Sequence, residues 1–482
     1  MISEEKSVSG CKGRISRRKF LAGTAAAAAA FTVVPRHVLG GPGHTPPSEM
    51  LNVAGVGIGG MGVVNLVNIA GLDFDRDGNV TKASTTGANI VALCDVDDEF
   101  AGRVYEIFPK AKRYRDFRKM LEKQKDINAV VVATPDHTHA VVAMAAMQSG
   151  KHVYVQKPLT HTVYEARMLT EAARKYKVAT QMGNQGHSGE GVRLIYEWIR
   201  NGAIGPVREV HGWTNRPIWP QGILRPKDTP PVPDTLDWDL YLGPAPKRPY
   251  HPAYHPRIWR GWWDFGCGAL GDMACHVLDP AYWALNLKNP TSVEACASHW
   301  ARREPGEEWG RIDKVMDSYP RASIIRYEFA ARGDMPPVKL SWYDGGLKPA
   351  RPDALEAGRP LEQATSNVLI IGDKGILRYG EYGESPRIIP ESKMKAYKRP
   401  PKTIPRIKGS HEQNWIDACK GGEPACSNFD HAGPLTEMIL LGNIALRYPG
   451  ERLEWDGKNM KVTNLDEANQ YVQNQYRPGW TL

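Results

Sequence analysis

None of the seven cysteines stands in a Cys-x-x-Cys spacing, which removes the common zinc and dithiol patterns, and no metal site is expected. Cys419 and Cys426 stand close enough in the chain to pair, but all six cysteines beyond the leader are read as small buried residues. Beyond residue 40 no apolar run approaches the roughly 20 residues of a membrane-spanning helix. The 47 glycines and 37 prolines form no repeat. Charge of one sign is also scarce: of the net +9, residues 1–36 contribute +5, leaving +4 over the rest with acidic residues interspersed. With no zinc-finger or RNA-binding signature, nucleic acid is not an expected partner.

What is present begins with an address. Ser16-Arg17-Arg18-Lys19-Phe20-Leu21 is a twin-arginine pattern followed by an alanine-rich apolar run that ends before Pro35. The expectation is export of an already folded protein to the periplasm by the twin-arginine machinery. No Ala-x-Ala site stands near Val38 to Gly43, so a leader retained as an anchor is a second outcome. The expected organisation is a signal and linker at 1–40, a nucleotide-binding domain at 50–180, a substrate and oligomerisation domain at 181–450 and a tail at 451–482.

The apolar run 51–56 stops at Gly57-Ile58-Gly59-Gly60-Met61-Gly62, which matches Gly-x-Gly-x-x-Gly between a strand and a helix spanning 63–72. A second register, Gly55, Gly57 and Gly60, also matches; the first ends the strand at its first glycine and starts the helix at its third. A second strand, 89–94, ends in Asp95, where the ribose-binding acid of the motif belongs, after a polar insertion at 73–87. A carboxylate there favours NAD over NADP, because it repels a 2′-phosphate; a helix cap is the alternative role. Strands at 129–133 and 152–155, preceded by helices at 116–123 and 140–148, predict a doubly wound parallel sheet of α/β type. At their carboxyl ends stand Thr134, Pro135 and His139, and Gln156 and Lys157, where a nucleotide would lie.

From residue 180 the rhythm changes. Segment 217–260 reads as irregular and rich in Pro, Trp and His, and runs at 322–329, 338–342, 368–372 and 376–379 read as an antiparallel sheet, so the second half is of α+β type. The glycine-led segment 266–285 has helical spacing, and Asp272 and His276, four apart, share one face. Oxidising a secondary alcohol requires a base for the hydroxyl proton; a histidine can take it and a carboxylate one turn away can orient that histidine. A helix-capping Asp272 and a core His276 are the structural alternatives.

Together, the glycine loop, Thr134-Pro135 with His139, Lys157-Pro158 and the Asp272 to His276 segment resemble the glucose-fructose oxidoreductase, inositol dehydrogenase and MocA (Gfo/Idh/MocA) family over about residues 50–450. The resemblance implies a Rossmann domain followed by an open, mostly antiparallel sheet with helices on one face. It implies Lys157, Asp272 and His276 as catalytic residues, with Lys157 stabilising charge on the reacting oxygen, and a cis peptide before Pro158. The family's Glu in its Glu-Lys-Pro motif is Gln156 here.

The resemblance also implies an enzyme that moves a hydride between NAD and a secondary alcohol or ketone of a sugar, glycoside or polyol. Asn184, Gln185, His187 and Arg216 are the expected donors and acceptors for sugar hydroxyls, with Trp263 among the tryptophans suited to a pyranose face. Because no soluble NAD pool is expected outside the cytoplasm, the cofactor is expected to be held tightly. The alternatives are a glycosidase-like lyase with no net redox change and a non-catalytic sugar-binding protein. A homo-dimer or homo-tetramer is expected.

Overall fold

The computed structural model describes residues 49–482 apart from 76–78, 83, 85, 299–300, 303–307, 310, 313–316 and 363. The twin-arginine leader and its linker at 1–40 lie outside the described residues, and Leu51–Leu482 forms one contiguous unit. Among the described residues, no helix is long and apolar enough to cross a membrane.

Short apolar runs, each stopped by a polar or glycine-containing turn, make the first sheet. In chain order its elements are β1 (Leu51–Val56), α1 (Met61–Ile69), β2 (Leu72–Phe74), β3 (Val80–Lys82), β4 (Ala88–Cys94), α2 (Asp98–Ile107), β5 (Lys112–Tyr114), α3 (Phe117–Lys123), β6 (Ala129–Val132), α4 (Asp136–Gln148), β7 (His152–Val155), α5 (Val163–Tyr176) and β8 (Thr180–Met182). The strand order β5-β4-β1-β6-β7-β8, parallel throughout, is the Rossmann arrangement with its ligand crevice beyond β1 and β6. Two corrections follow. The helix expected at 63–72 starts at Met61 and ends at Ile69, and the polar insertion holds the β2–β3 hairpin. Helix α5, which the apolar pattern did not reveal, is started by a capping box in which Thr162 and Glu165 satisfy each other's backbone N–H groups.

After a 3-10 turn at Gln185–Ser188, the second half runs through α6 (Glu190–Arg200), β9 (Val207–Thr214), α7 (Trp238–Leu242), α8 (Gly268–Val277), α9 (Asp279–Ala284), β10 (Ser292–Ala297), β11 (Ala301–Arg302), β12 (Arg311–Ile312), β13 (Ser323–Phe329), β14 (Val338–Tyr343), β15 (Ser366–Gly372), β16 (Gly375–Gly380), β17 (Arg387–Ile389), α10 (Glu391–Ala396), α11 (His411–Cys419), α12 (Phe429–Ala445), β18 (Arg452–Asp456) and β19 (Lys461–Val462). Nine strands form one sheet in the order β17-β16-β15-β9-β14-β13-β10-β18-β19, antiparallel except for β9 beside β14. Alternation sets its faces: Ile325, Tyr327 and Phe329 of β13 are buried while Arg326 between them is exposed. The buried face meets α8 and α12; Gly442 of α12 leaves room for the Tyr327 hydroxyl, which would lie 2.2 Å from a Cβ there. Residues of both sheets contribute to one apolar core, and a bidentate Arg167–Glu437 pair (2.7 Å each) ties α5 to α12.

The segment expected to be a tail belongs to this architecture. β18 pairs with β10, and beyond it Tyr476 bonds to Glu165 while Trp480 packs on Phe117 and under the Arg118 guanidinium. The irregular stretch 235–261 is a strap across the first sheet's crevice. It is fastened by Asp98 N to Thr235 O (3.1 Å), Asp237 N to Val96 O (2.8 Å) and a buried His255 Nε2–Asp97 Oδ2 contact of 2.7 Å.

Candidate active site

The crevice beyond β1 and β6 opens because backbone there comes closer than side chains permit. Gly57 has φ +74°, and a Cβ on it would stand 2.5 Å from Thr134 N. On Gly62 a Cβ would meet Gly57 O at 2.2 Å, so the third glycine of the Gly57-Gly59-Gly62 register lets α1 close on β1. Gly60, at φ +50°, brings the chain into α1, whose amino-terminal N–H groups begin beside Met61.

The resulting cleft, about 500 Å³, is lined by Gly57, Gly59, Gly60 and Met61, by Asp95, by Thr134, Pro135 and His139, and by Gln156 and Lys157. Ile58, counted among the cofactor contacts in the sequence, is not at the surface of the cleft. Its side chain is fully buried and its N–H donates to Asp95 Oδ2 at 2.8 Å. Asp95 Oδ1 accepts from Asp97 N at 3.1 Å; burial raises the Asp95 carboxyl above its ordinary range, and these backbone donors oppose the rise. Thr134 Oγ1 is buried with no hydrogen-bond partner. A glycine cradle with no room for side chains, a carboxylate at the end of β4 and an unsatisfied hydroxyl between them fit the pyrophosphate, ribose and amide groups of a dinucleotide.

His139 has both ring nitrogens committed, Nδ1 to Pro158 O and Nε2 to Thr134 O at 2.8 Å each. Burial lowers its pKa to about 4, so the ring is neutral with a single N–H and donates to only one of the two carbonyls in either tautomer, while both nitrogens face backbone rather than the cleft. Gln156 Nε2 donates to Asn65 Oδ1 (2.8 Å), and Asn65 Nδ2 donates to Glu412 Oε1 (2.9 Å).

Lys157, at the end of β7 and joined to Pro158 by a cis peptide, reaches across to α8. Its Nζ donates to Asp272 Oδ1 at 2.8 Å and to the Asp272 carbonyl at 2.7 Å, while Arg260 Nε donates to the same Oδ1 at 3.2 Å. Burial alone would raise the Asp272 carboxyl, but Lys157 and Arg260 outweigh it and hold it at about 2. Helix α8 starts four residues before Asp272, which is therefore not a cap. Nor does Asp272 bond to His276: its partners are the two cations. His276 is buried edge-on to Tyr382 (5.0 Å between centroids), and its Nδ1 has no partner among the described residues. Burial, then the charge of Lys157, lowers its pKa to about 3, so the imidazole is neutral.

None of the five residues expected to hold the sugar lines this cleft. Asn184 is buried, accepting from Ser427 Oγ (2.6 Å) with its Nδ2 unpartnered. Gln185 is exposed, and Arg216 Nη1 donates to Asn215 Oδ1 (2.7 Å). Trp263 packs at a tilt against Tyr319 (3.7 Å between centroids) under the Arg447 guanidinium, a packing role. His187 Nδ1 lies 2.7 Å from Asp279 Oδ2, and His431 Nε2 lies 2.6 Å from Asp279 Oδ1. Those three ligand-type atoms fall within 4.8 Å of one another, at hydrogen-bond separations shorter than the ~3 Å or more between two ligands of one zinc ion. Burial lowers His187 to about 4 in spite of Asp279.

The sequence reading missed the strap's contribution: Leu240, Tyr241, His255, Trp259 and Arg260, together with Trp480, close the cleft opposite the glycine loop. Only the concentration of Trp and His in an aperiodic stretch signalled it.

A Rossmann crevice with a glycine cradle, met by a helix that packs on the second sheet and brings an aspartate to a strand-end lysine, defines a nucleotide-dependent enzyme class. Residues 51–184 match the oxidoreductase family's NAD-binding Rossmann fold and residues 203–318 its C-terminal alpha/beta domain; the chain belongs to the Gfo/Idh/MocA family. It is 26% identical over 218 residues to levoglucosan dehydrogenase of Pseudarthrobacter phenanthrenivorans, covering 45% of this chain and 47% of that one. It is 31% identical over 134 residues to inositol 2-dehydrogenase of Salmonella paratyphi B, covering 27% of this chain and 39% of the relative. The matched stretch thus spans about half or less of these curated relatives. The WlbA dehydrogenase of Bordetella pertussis, solved with NADH and UDP-GlcNAcA, has the same fold (TM-score 0.56, 18% identity, 84% of this chain and 99% of that one).

Proposed function

We propose that the protein is an NAD-dependent oxidoreductase acting on a secondary alcohol or ketone of a sugar, glycoside or polyol. The observation that carries this is the Lys157–Asp272 contact at the carboxyl end of β7, on the rim of a cleft shaped for a dinucleotide. Levoglucosan dehydrogenase and inositol 2-dehydrogenase among the relatives support the CH–OH chemistry and the substrate class.

Bound in the cleft, NAD supplies the hydride acceptor. Lys157 then hydrogen-bonds the reacting oxygen and stabilises the negative charge that develops on it. Asp272, ionised between Lys157 and Arg260, holds the ammonium in place. His276, neutral and buried with Nδ1 unpartnered, is the base for the hydroxyl proton; its lowered pKa makes it a weak one, so the transfer relies on Lys157 acidifying the alcohol it hydrogen-bonds. Asp95 at the end of β4 favours NAD over NADP. The strap and Trp480 support a cofactor that stays bound between turnovers.

The reading includes export: the twin-arginine pattern at Arg17-Arg18 supports delivery of a folded, cofactor-loaded enzyme to the periplasm. Assembly as a dimer or tetramer accompanies it and is read by light scattering.

The test is to purify the protein with no added cofactor, identify any released nucleotide by mass, and follow absorbance near 340 nm while sugars and polyols are added. Bound NAD that becomes reduced by a sugar is the expected result. No binding of NAD or NADP, even when supplied, overturns the reading.

A further inference from the structure

Arg260, beside Lys157 and Asp272, has hydrogen-bonding capacity that the fold does not use. It sits in the 3-10 turn Ile258–Gly261 of the strap, and Gly266 packs so closely on its backbone that a Cβ there would lie 2.5 Å from Arg260 Cα. Its guanidinium lies over the Trp259 ring at 4.2 Å and faces Trp219 at 5.9 Å, which fixes its plane. Of its donors, Nε goes to Asp272 Oδ1 and one N–H of Nη1 to Arg257 O (3.3 Å). Nη2 has no partner among the described residues, and the side chain, 30% exposed, lines the cleft next to Lys157.

Charge is unbalanced at this place. Two cations, Lys157 and Arg260, share the single carboxylate of Asp272. Asp136, another carboxyl lining the cleft, accepts from Cys267 N (3.0 Å), and burial, against the pull of Arg260 and Lys157, raises it to about 7, so at neutral pH it offsets only part of the surplus. A flat guanidinium with free N–H groups, held rigid in a partly desolvated cleft and lacking a full counter-charge, suits a planar carboxylate.

Resting on the proposed redox reading, we propose that Arg260 is a specificity residue that binds a carboxylate of the substrate, so that the sugars this site prefers are acidic ones, of the uronic or aldonic acid class. The carboxylate accepts from the Nη edge of Arg260 while the carbinol oxygen lies at Lys157.

The experiment uses the full-length, NAD-loaded protein and matched sugars: glucose and methyl glucoside, glucuronate and methyl glucuronide, and glucose 6-phosphate. The expected result is a kcat/KM for the uronates at least tenfold above that for the neutral partners and above the phosphate ester. In Arg260→Met the uronate-to-neutral ratio should fall about tenfold, and Arg260→Lys should restore part of it. An arginine that merely positions Asp272 would lower all rates together and leave the ratio unmoved, which overturns the proposal. Preference for the phosphate ester, or for neutral sugars, also overturns it while leaving the redox reading intact. If no sugar reduces the cofactor, the redox reading fails on its own. Tryptophan fluorescence then decides the inference: uronate binding lost in Arg260→Met upholds the carboxylate site, and equal binding of uronate and neutral sugar removes it.

Discussion

Lys157 Nζ donates to both the side chain and the main-chain carbonyl of Asp272, at 2.8 and 2.7 Å, across 115 residues of sequence. One ammonium therefore reads the position of α8 as well as the charge of the aspartate, and the two residues act as a unit.

Asp272→Asn keeps the size of the side chain but leaves Lys157 without its anion. Turnover of a substrate should fall about a hundredfold or more, and Lys157→Met should do the same. Because the residues share one interaction, the double variant should be no more than about threefold slower than the worse single one. Losses that multiply would show that the two act separately.

His255→Asn removes the ring that joins the strap to Asp97. Burial would raise the Asp97 carboxyl, yet His255 and the backbone donors hold it below its ordinary range, so the contact is charge-assisted. Dissociation of bound NAD, followed by a chase with labelled cofactor, should accelerate at least tenfold. An unchanged rate would mean that the strap does not retain the cofactor.

Asp95→Ser takes the carboxylate from the end of β4. The ratio of NADP to NAD affinity should rise about tenfold or more, because repulsion of a 2′-phosphate is relieved. Isothermal titration with both nucleotides checks this, and an unaltered ratio would remove Asp95 from cofactor discrimination.

Four buried histidines and the half-buried His161 have lowered pKa values, with burial as the leading cause: His137 and His276 to about 3, and His139, His161 and His187 to about 4. Unfolded, each would bind a proton near pH 6.5. Between about pH 6.5 and 4 the unfolded state thus holds more protons than the native one, and stability falls as pH falls, by up to about 1.4 kcal/mol per pH unit for each histidine. The buried carboxyls of Asp136 and Asp344, each raised to about 7, oppose this by binding protons in the native state, but the five histidines outnumber them, so the urea midpoint should drop from about pH 6.5 to about pH 4.5. A flat midpoint over that window would contradict the assignment.

The parallel strands were legible because their hydrophobicity is local and continuous, and the glycine loop because sterics allow no other residue at Gly57 and Gly62. Asp272 and His276 were legible as one helical face. Their partners were not: Lys157 and Arg260 reach Asp272 through tertiary folding, and the sequence pattern suggested a bond to His276 that the helix does not make. The strap was illegible for a related reason. Apart from the short turn of α7 its backbone follows no period of 2 or 3.6, and it is held on the crevice by long-range hydrogen bonds to the loop at Val96 to Asp98, which no local pattern signals. Helix α5 could have been found from Thr162 and Glu165, three apart ahead of an amphipathic run.

Gln156 gives the amide chain behind the cleft a direction. Its Nε2 gives a proton to Asn65 Oδ1, which turns the Asn65 amide so that Nδ2 points at Glu412. A glutamate at position 156, the residue found in the family's motif, would set two acceptors face to face; Asn65 would have to flip, turning its own Oδ1 toward Glu412 Oε1 and leaving that oxygen only the longer bond from Asn68 Nδ2 (3.3 Å). Restoring the family's glutamate here is therefore no simple reversion. Residues 65, 156 and 412 form a grammatical sentence that one changed word reverses, so sequences carrying the acid are expected to have changed at the other two positions as well.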